Sequence, residues 1–168
     1  MAIGKRKSRE LAMQILFAWD VREESDAGMA RQIASDGGEE ASVQERAITM
    51  AGAAWDAREK TDECVARLAP QWPTRRQPGV DRSLLRLAVW ELAGGDTPPK
   101  VVLDEAIEMA KSFSTENSPA FINGVLDAVL KEREKPASND ASADTEPPAI
   151  DAPDISEGDV AAPDITTS

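Results

Sequence analysis

The first residues able to do chemistry are cations. Lys5, Arg6, Lys7 and Arg9 crowd the first nine positions, with no acid among them. They precede a segment of helical periodicity, so they gather at a helix N-terminus. Unpaired amides already give such an end partial positive charge, and extra cations there are electrostatically unfavourable. Two readings follow: a solvated basic start, or an anion-attracting end whose natural ligand is phosphate. Charge alone leaves both open. Four contacts to phosphates of a single strand would give a log–log salt slope of about −3, and affinity would fall roughly 50-fold between 50 and 200 mM salt.

Other candidates are weaker. Arg82 and Arg86 lie four apart and share a helix face. They either extend the basic surface or are solvated on the helix surface, with Asp81 or Glu91 as available partners, and the solvated reading is preferred. Asp104, Glu105 and Glu108 would suit acid–base work or a metal. The chain has no histidine and no second acidic cluster at clear spacing, so these three read as helix-surface charge. Without histidine there is no His-based triad, His base or His ligand. The single cysteine, Cys64, allows neither an intramolecular disulfide nor a cysteine zinc site. It reads as a small packed residue rather than a nucleophile. The glycines form no phosphate loop. Trp19, Trp55, Trp72 and Trp90 are able to stack on bases. Three of them lie on expected helices and read as core, while Trp72, in a proline-bounded connector, is undecided. Nothing here points to an enzyme or a cofactor.

Elements must position these groups. The chain has 168 residues, enough for one domain with one core. Apolar residues make up 41%, aromatics 4%, and tyrosine is absent, so Leu, Ile, Val and Ala must build a core of packed helices. Periodicity predicts a helix over 8–24, with Ser8 as N-cap, and a short one over 29–34. A long helical stretch covers 42–69. Pro70, Pro73 and Pro78 mark a connector. A strong helix spans 80–93 and ends at Gly94-Gly95, and another spans 101–113. Ser118-Pro119 then starts a last helix, which ends before Pro136. No strand pattern appears, so the fold class is all-α.

Charge divides the chain further. The net charge is −12, yet residues 136–168 hold eight acids and no Lys or Arg, which leaves −4 for the rest. The expected organisation is a flexible basic arm over 1–7, a helical domain over 8–134 and a disordered acidic tail over 135–168. The tail repeats Ala152-Pro153-Asp154-Ile155 as Ala162-Pro163-Asp164-Ile165, which reads as low complexity. A solubilising role for it is preferred over one in which it folds back on the basic arm. No apolar run approaches membrane-spanning length, and no signal-type segment opens the chain. A soluble, cytoplasmic protein without membrane contact is expected.

The stretch from Lys5 through Arg9-Glu10-Leu11-Ala12-Met13-Gln14-Ile15-Leu16-Phe17 to Trp19 resembles the start of the NusB transcription antitermination family. A second block, from Val80-Asp81-Arg82-Ser83-Leu84-Leu85-Arg86 to Leu92, resumes as Leu103-Asp104-Glu105-Ala106 to Phe113 and closes with Phe121-Ile122-Asn123-Gly124-Val125-Leu126-Asp127. It is similar to that family in order and spacing. The resemblance covers about residues 3–131. It implies a compact NusB-like helical bundle of two packed subdomains. It also implies binding of boxA-type single-stranded RNA from ribosomal RNA operons, jointly with NusE, a small-subunit ribosomal protein. The pair would serve an RNA polymerase antitermination complex, with no catalysis and no cofactor. The resemblance makes Lys5, Arg6, Lys7, Arg9 and Arg86 RNA candidates, with Lys111 and Phe121 as weaker ones. Phe121 lies in an apolar stripe, so core packing is at least as good a reading for it. Phe17 and Asp81 become candidates for the NusE-facing surface. Phe17 stands where the family often has Tyr, and Asn117 where an acid is common. The stretch 20–79 matches only in helical pattern. Monomer and homodimer both remain open. A NusB-like domain also occurs fused to RNA methyltransferases, but only the acidic tail follows it here.

Overall fold

A computed structural model describes residues 2–135 of the chain. Seven α-helices fill it: α1 (Ala2–Arg22), α2 (Ala27–Asp36), α3 (Ala41–Asp56), α4 (Arg58–Leu68), α5 (Gly79–Gly94), α6 (Pro99–Phe113) and α7 (Ser118–Glu134), with a 3₁₀ turn at Thr74–Arg76. No strand occurs among the described residues. The all-α bundle expected from composition is what forms. The tail expectation concerns residues outside those described.

The helices make two groups around one core. α1, α2 and α3 pack together, α5, α6 and α7 pack together, and α4 lies against α5 and α7. The groups meet where α1 crosses onto α5. Leu11, Ile15, Leu16 and Trp19 of α1 are buried against Leu84, Leu85, Leu87 and Ala88 of α5 and the stripes of the other helices. Trp19 and Trp55 meet edge to face at 5.7 Å, and Trp72 meets Phe121 likewise at 6.3 Å. Trp72 is therefore core.

Three local expectations change. The first helix begins at Ala2 rather than at Ser8, so the segment expected as a flexible arm forms its opening turns. Ser8 is no N-cap; it is buried, and its hydroxyl donates to the Val43 carbonyl of α3 at 3.3 Å. The stretch 42–69 is two helices that break at Ala57. The apolar phase runs through the break unshifted, from Val43, Ala47, Met50 and Ala54 to Thr61 and Val65, so periodicity carries no mark of it. The Arg58 guanidinium donates to the Trp55 carbonyl at 2.9 Å, satisfying an acceptor near the break. Ser118 is the first residue of α7 rather than its cap. Its hydroxyl turns back to Thr115, accepting from that amide at 3.2 Å. The other boundaries lie within two residues of those expected: Gly95 ends α5 with φ +73°, and α6 opens at Pro99 rather than at 101.

Candidate nucleic-acid and partner interface

The four cations of the first turns divide by helical phase. Lys5 and Arg6 are exposed and Lys7 is half-buried. Arg9 faces inward at 4% exposure, and its guanidinium grips both oxygens of Glu91 on α5 at 2.8–3.0 Å. Arg9 thus ties α1 to α5, which corrects the expectation that it reaches RNA. Arg6 makes a forked contact to Glu105 of α6 at 3.0 and 3.2 Å, and Lys7 reaches Glu10 at 3.4 Å. Both pairs sit at the surface, where such contacts are worth little and are readily exchanged for phosphate. Lys5 has no carboxylate within ion-pair distance among the described residues, and it borders a groove together with Arg46, Met50 and Trp90.

Arg86 is also internal. Its Nε and Nη2 donate to Asp62 at 3.0 and 2.6 Å, and its Nη1 donates to Asp20 at 2.8 Å. Arg82 joins from the next turn, donating to Asp20 at 3.0–3.1 Å and to the Thr74 and Gln77 carbonyls. Burial alone would raise the Asp20 carboxyl. The hydrogen bonds and charges of Arg82 and Arg86 outweigh it and hold the group below the usual carboxylate range. Three of the five Arg86 N–H groups are thus taken, and at 7% exposure Arg86 pins α5 to α1 and α4. Sequence reasoning expected a solvated helix surface with Asp81 or Glu91 as partners; the actual partners, Asp20 and Asp62, come from other helices. A usable signal existed: Asp20 is four residues after Leu16, on the apolar phase of α1, where a charge requires an internal partner.

Phe121 lies in the core at 2% exposure and packs on Trp72, so its ring is not offered to a base. Lys111 is exposed and pairs with Glu108 at 3.2 Å. Asp104 is exposed, and Glu105 and Glu108 are taken up in the pairs just described. Cys64 is half-buried, and burial pushes its thiol pKa up. No group of three or more His, Cys, Asp or Glu among the described residues is placed to hold a metal. Among the described residues no helix is long and apolar enough to cross a membrane.

The partner candidates also separate. Phe17 is 39% exposed, and Val21 on the same face and Phe113 at the end of α6 are exposed too. The Phe17 ring lies over Gly79, where a Cβ would come within 2.8 Å of it. Glycine is thus what allows this aromatic to lie on the first turn of α5. Asp81, two residues further on, is fully buried. It accepts a hydrogen bond from Ser114, while its other oxygen has no partner. Ser114 in turn meets Ser118 at 3.0 Å. Asp81 is therefore not a surface contact; it fastens the α6–α7 turn to α5.

Burial pushes the Asp81 carboxyl pKa up, more than the Ser114 and Ser118 hydroxyls pull it down. A raised carboxyl favours the folded state as pH falls, from its folded pKa down to its unfolded value of about 3.9. Wild-type stability should therefore rise between pH 7 and pH 4 relative to Asp81→Asn, whose amide does not titrate. Urea melts of both proteins across that window check this. Parallel pH profiles would show that Asp81 titrates normally.

The class defined by this geometry is an all-helical binding protein, with exposed cations at one end of α1 and an exposed apolar surface near the other. Comparison with known proteins places it more closely. The NusB family model matches residues 6–131. The transcription antitermination protein NusB of Solibacter usitatus is 40% identical over 135 residues, covering 79% of this chain and 92% of that protein. That of Symbiobacterium thermophilum is 38% identical over 139 residues, covering 77% and 90%. Among solved structures, NusB from T. maritima is similar with a TM-score of 0.66 at 34% identity, covering 76% of this chain and 90% of that one. A chain from the crystal structure of antitermination factors NusB and NusE in complex with dsRNA has a TM-score of 0.71 at 25% identity, covering 79% and 99%. The chain belongs to the NusB family.

Proposed function

We propose that this chain is a transcription antitermination factor that binds boxA-type single-stranded RNA of ribosomal RNA operons jointly with NusE. It works without catalysis, in the cytoplasm, within an RNA polymerase antitermination complex. The observation that carries this reading is the exposure of Lys5 and Arg6, with the half-buried Lys7 beside them, on the first turns of α1. Phosphate is the ligand such a cluster attracts. Arg9 supports it from within by fixing the angle of α1 on α5. Lys111 adds a cation near the turn that carries Asn117.

NusE is assigned to the apolar surface formed by Phe17, Val21 and Phe113. Twelve residues separate Lys5 from Phe17, about 18 Å along the helix. RNA and protein partner therefore occupy different ends of α1, which suits joint binding. Asp81 is a positioning residue for this surface, acting through Ser114. Phe17→Ala should weaken NusE binding by about 2 kcal/mol, roughly 30-fold, as expected of a central aromatic contact. RNA affinity without NusE should stay unchanged. Calorimetric titration with NusE, paired with an RNA-binding assay, tests both parts. Unaltered NusE affinity would remove this surface from the proposal. RNA binding should be compared on boxA, scrambled and duplex RNA, because a related NusB–NusE pair was solved with dsRNA.

A further inference from the structure

The groove beside Lys5 is not used by the reading above. Its floor is apolar, made by Met50, Trp90 and Gly94, and it continues past Thr97 to Pro98 and Val101. Two connected parts hold about 270 and 290 Å³. Lys5, Arg9 and Arg46 line it together with Glu91, Asp96 and Glu105. Arg9 is taken up by Glu91, and Glu105 by Arg6, which leaves the cations of Lys5 and Arg46 against the single carboxylate of Asp96. An occupant should be short, extended and apolar on one side, with acids beside its apolar groups.

The chain carries such a sequence. Asp154-Ile155, Asp159-Val160 and Asp164-Ile165 place an acid before a β-branched residue three times, at a spacing of five. Two of these couplets follow Ala-Pro. A merely solubilising segment needs charge but not evenly spaced Ile and Val.

The topology brings the two together. α6 and α7 pack against each other through the short turn after Phe113, so they run antiparallel. Their lengths are similar, so Lys135 leaves α7 at the end of the hairpin where Pro99 and Val101 begin α6. Asp154 follows Lys135 by 19 residues. Nineteen residues would span about 24 Å at random-coil dimensions, enough to reach a groove at the same end of the bundle.

We propose that the C-terminal segment 150–168 docks in this groove through its Asp-Ile and Asp-Val couplets and competes with RNA for the Lys5 end of α1. The competition half rests on the RNA reading; the docking half does not. Effective concentrations for such tethers are on the order of 1 mM, so an intrinsic affinity of about 0.3 mM would keep the groove about three-quarters filled and weaken RNA binding about fourfold. Three couplets sharing one groove raise that occupancy statistically. Specific RNA outcompetes the segment more easily than non-specific RNA does, so the device sharpens selectivity.

Two full-length variants test this. Ile155→Ser/Val160→Ser/Ile165→Ser keeps every charge, and Asp154→Asn/Asp159→Asn/Asp164→Asn keeps every apolar group. The Trp90 indole and Met50 methyl NMR signals report on the groove itself. Both variants should shift these signals from their wild-type positions, and both should bind scrambled RNA about fourfold more tightly at 50 mM salt. Signals unchanged in both variants overturn the proposal. A shift confined to the aspartate variant also overturns it, since a diffuse charge effect would explain that. Shifted signals with unchanged RNA affinity overturn the competition and keep the docking. If no variant binds RNA at all while the signals still shift, the RNA reading fails and the docking stands.

Discussion

Arg86→Met should lower folding stability by about 3 kcal/mol and leave any remaining folded protein with near-normal RNA contacts. Removing one partner of a buried ion pair typically costs 3–5 kcal/mol, because the other charge stays buried without compensation. Here Asp20 keeps Arg82, and Asp62 is partly open to water, which places the loss at the low end. A domain of this size has about 5–15 kcal/mol in total, so the effect is large. Urea unfolding should show a lower midpoint with an unchanged slope. If Arg86 contacted RNA directly, the substitution would instead cost little stability and much affinity. The two roles are thus separable in one pair of measurements.

The largest effect on binding should come from reversing Lys5, Arg6 and Lys7 to Glu. Affinity for boxA RNA should fall at least about tenfold near physiological salt, because three cations that attract phosphate become three anions that repel it. Folding should survive. The pairs from Arg6 to Glu105 and from Lys7 to Glu10 lie at the surface, where breaking them removes little. Reversal of Arg9 is a different experiment. It would set two carboxylates against each other in the α1–α5 interface, and the loss of RNA binding would then follow from loss of the fold.

Much of the fold was legible in the sequence because apolar periodicity, glycine ends and proline starts are local signals. The helices at α5, α6 and α7 fall within a few residues of the pattern. The break at Ala57 was not legible, since the apolar phase continues across it and alanine favours helix. The position of Ser8 was misread for a related reason. Serine before an apolar stripe is the usual mark of a cap, and only α3, remote in sequence, supplies the Val43 carbonyl that buries it.

The candidate site was half legible. Clustered cations at one end of the chain are visible in any reading, but their division into outward and inward members depends on which helices lie alongside. Arg9 and Arg86 fall on the apolar phases of α1 and α5, so their burial was inferable from periodicity. Their partners Glu91, Asp20 and Asp62 required the tertiary structure. Resemblance to the NusB family raised Phe121 and Asp81 as contacts, whereas this chain buries both. Phe121 was legible as core from its own stripe. Asp81 was not, because its acceptor role depends on a serine 33 residues away.

The most direct test of the central claim is the salt dependence of boxA RNA binding by the wild type and by Lys5→Glu/Arg6→Glu/Lys7→Glu. With Arg9 held by Glu91, three cations remain at the start of α1, Lys5 and Arg6 exposed and Lys7 half-buried. Their contribution to the log–log slope should be about −2 rather than −3, equivalent to roughly a 20-fold change in affinity between 50 and 200 mM salt. The account predicts that the variant loses this contribution and binds more weakly at every salt concentration. Equal slopes and equal affinities for the two proteins would contradict it.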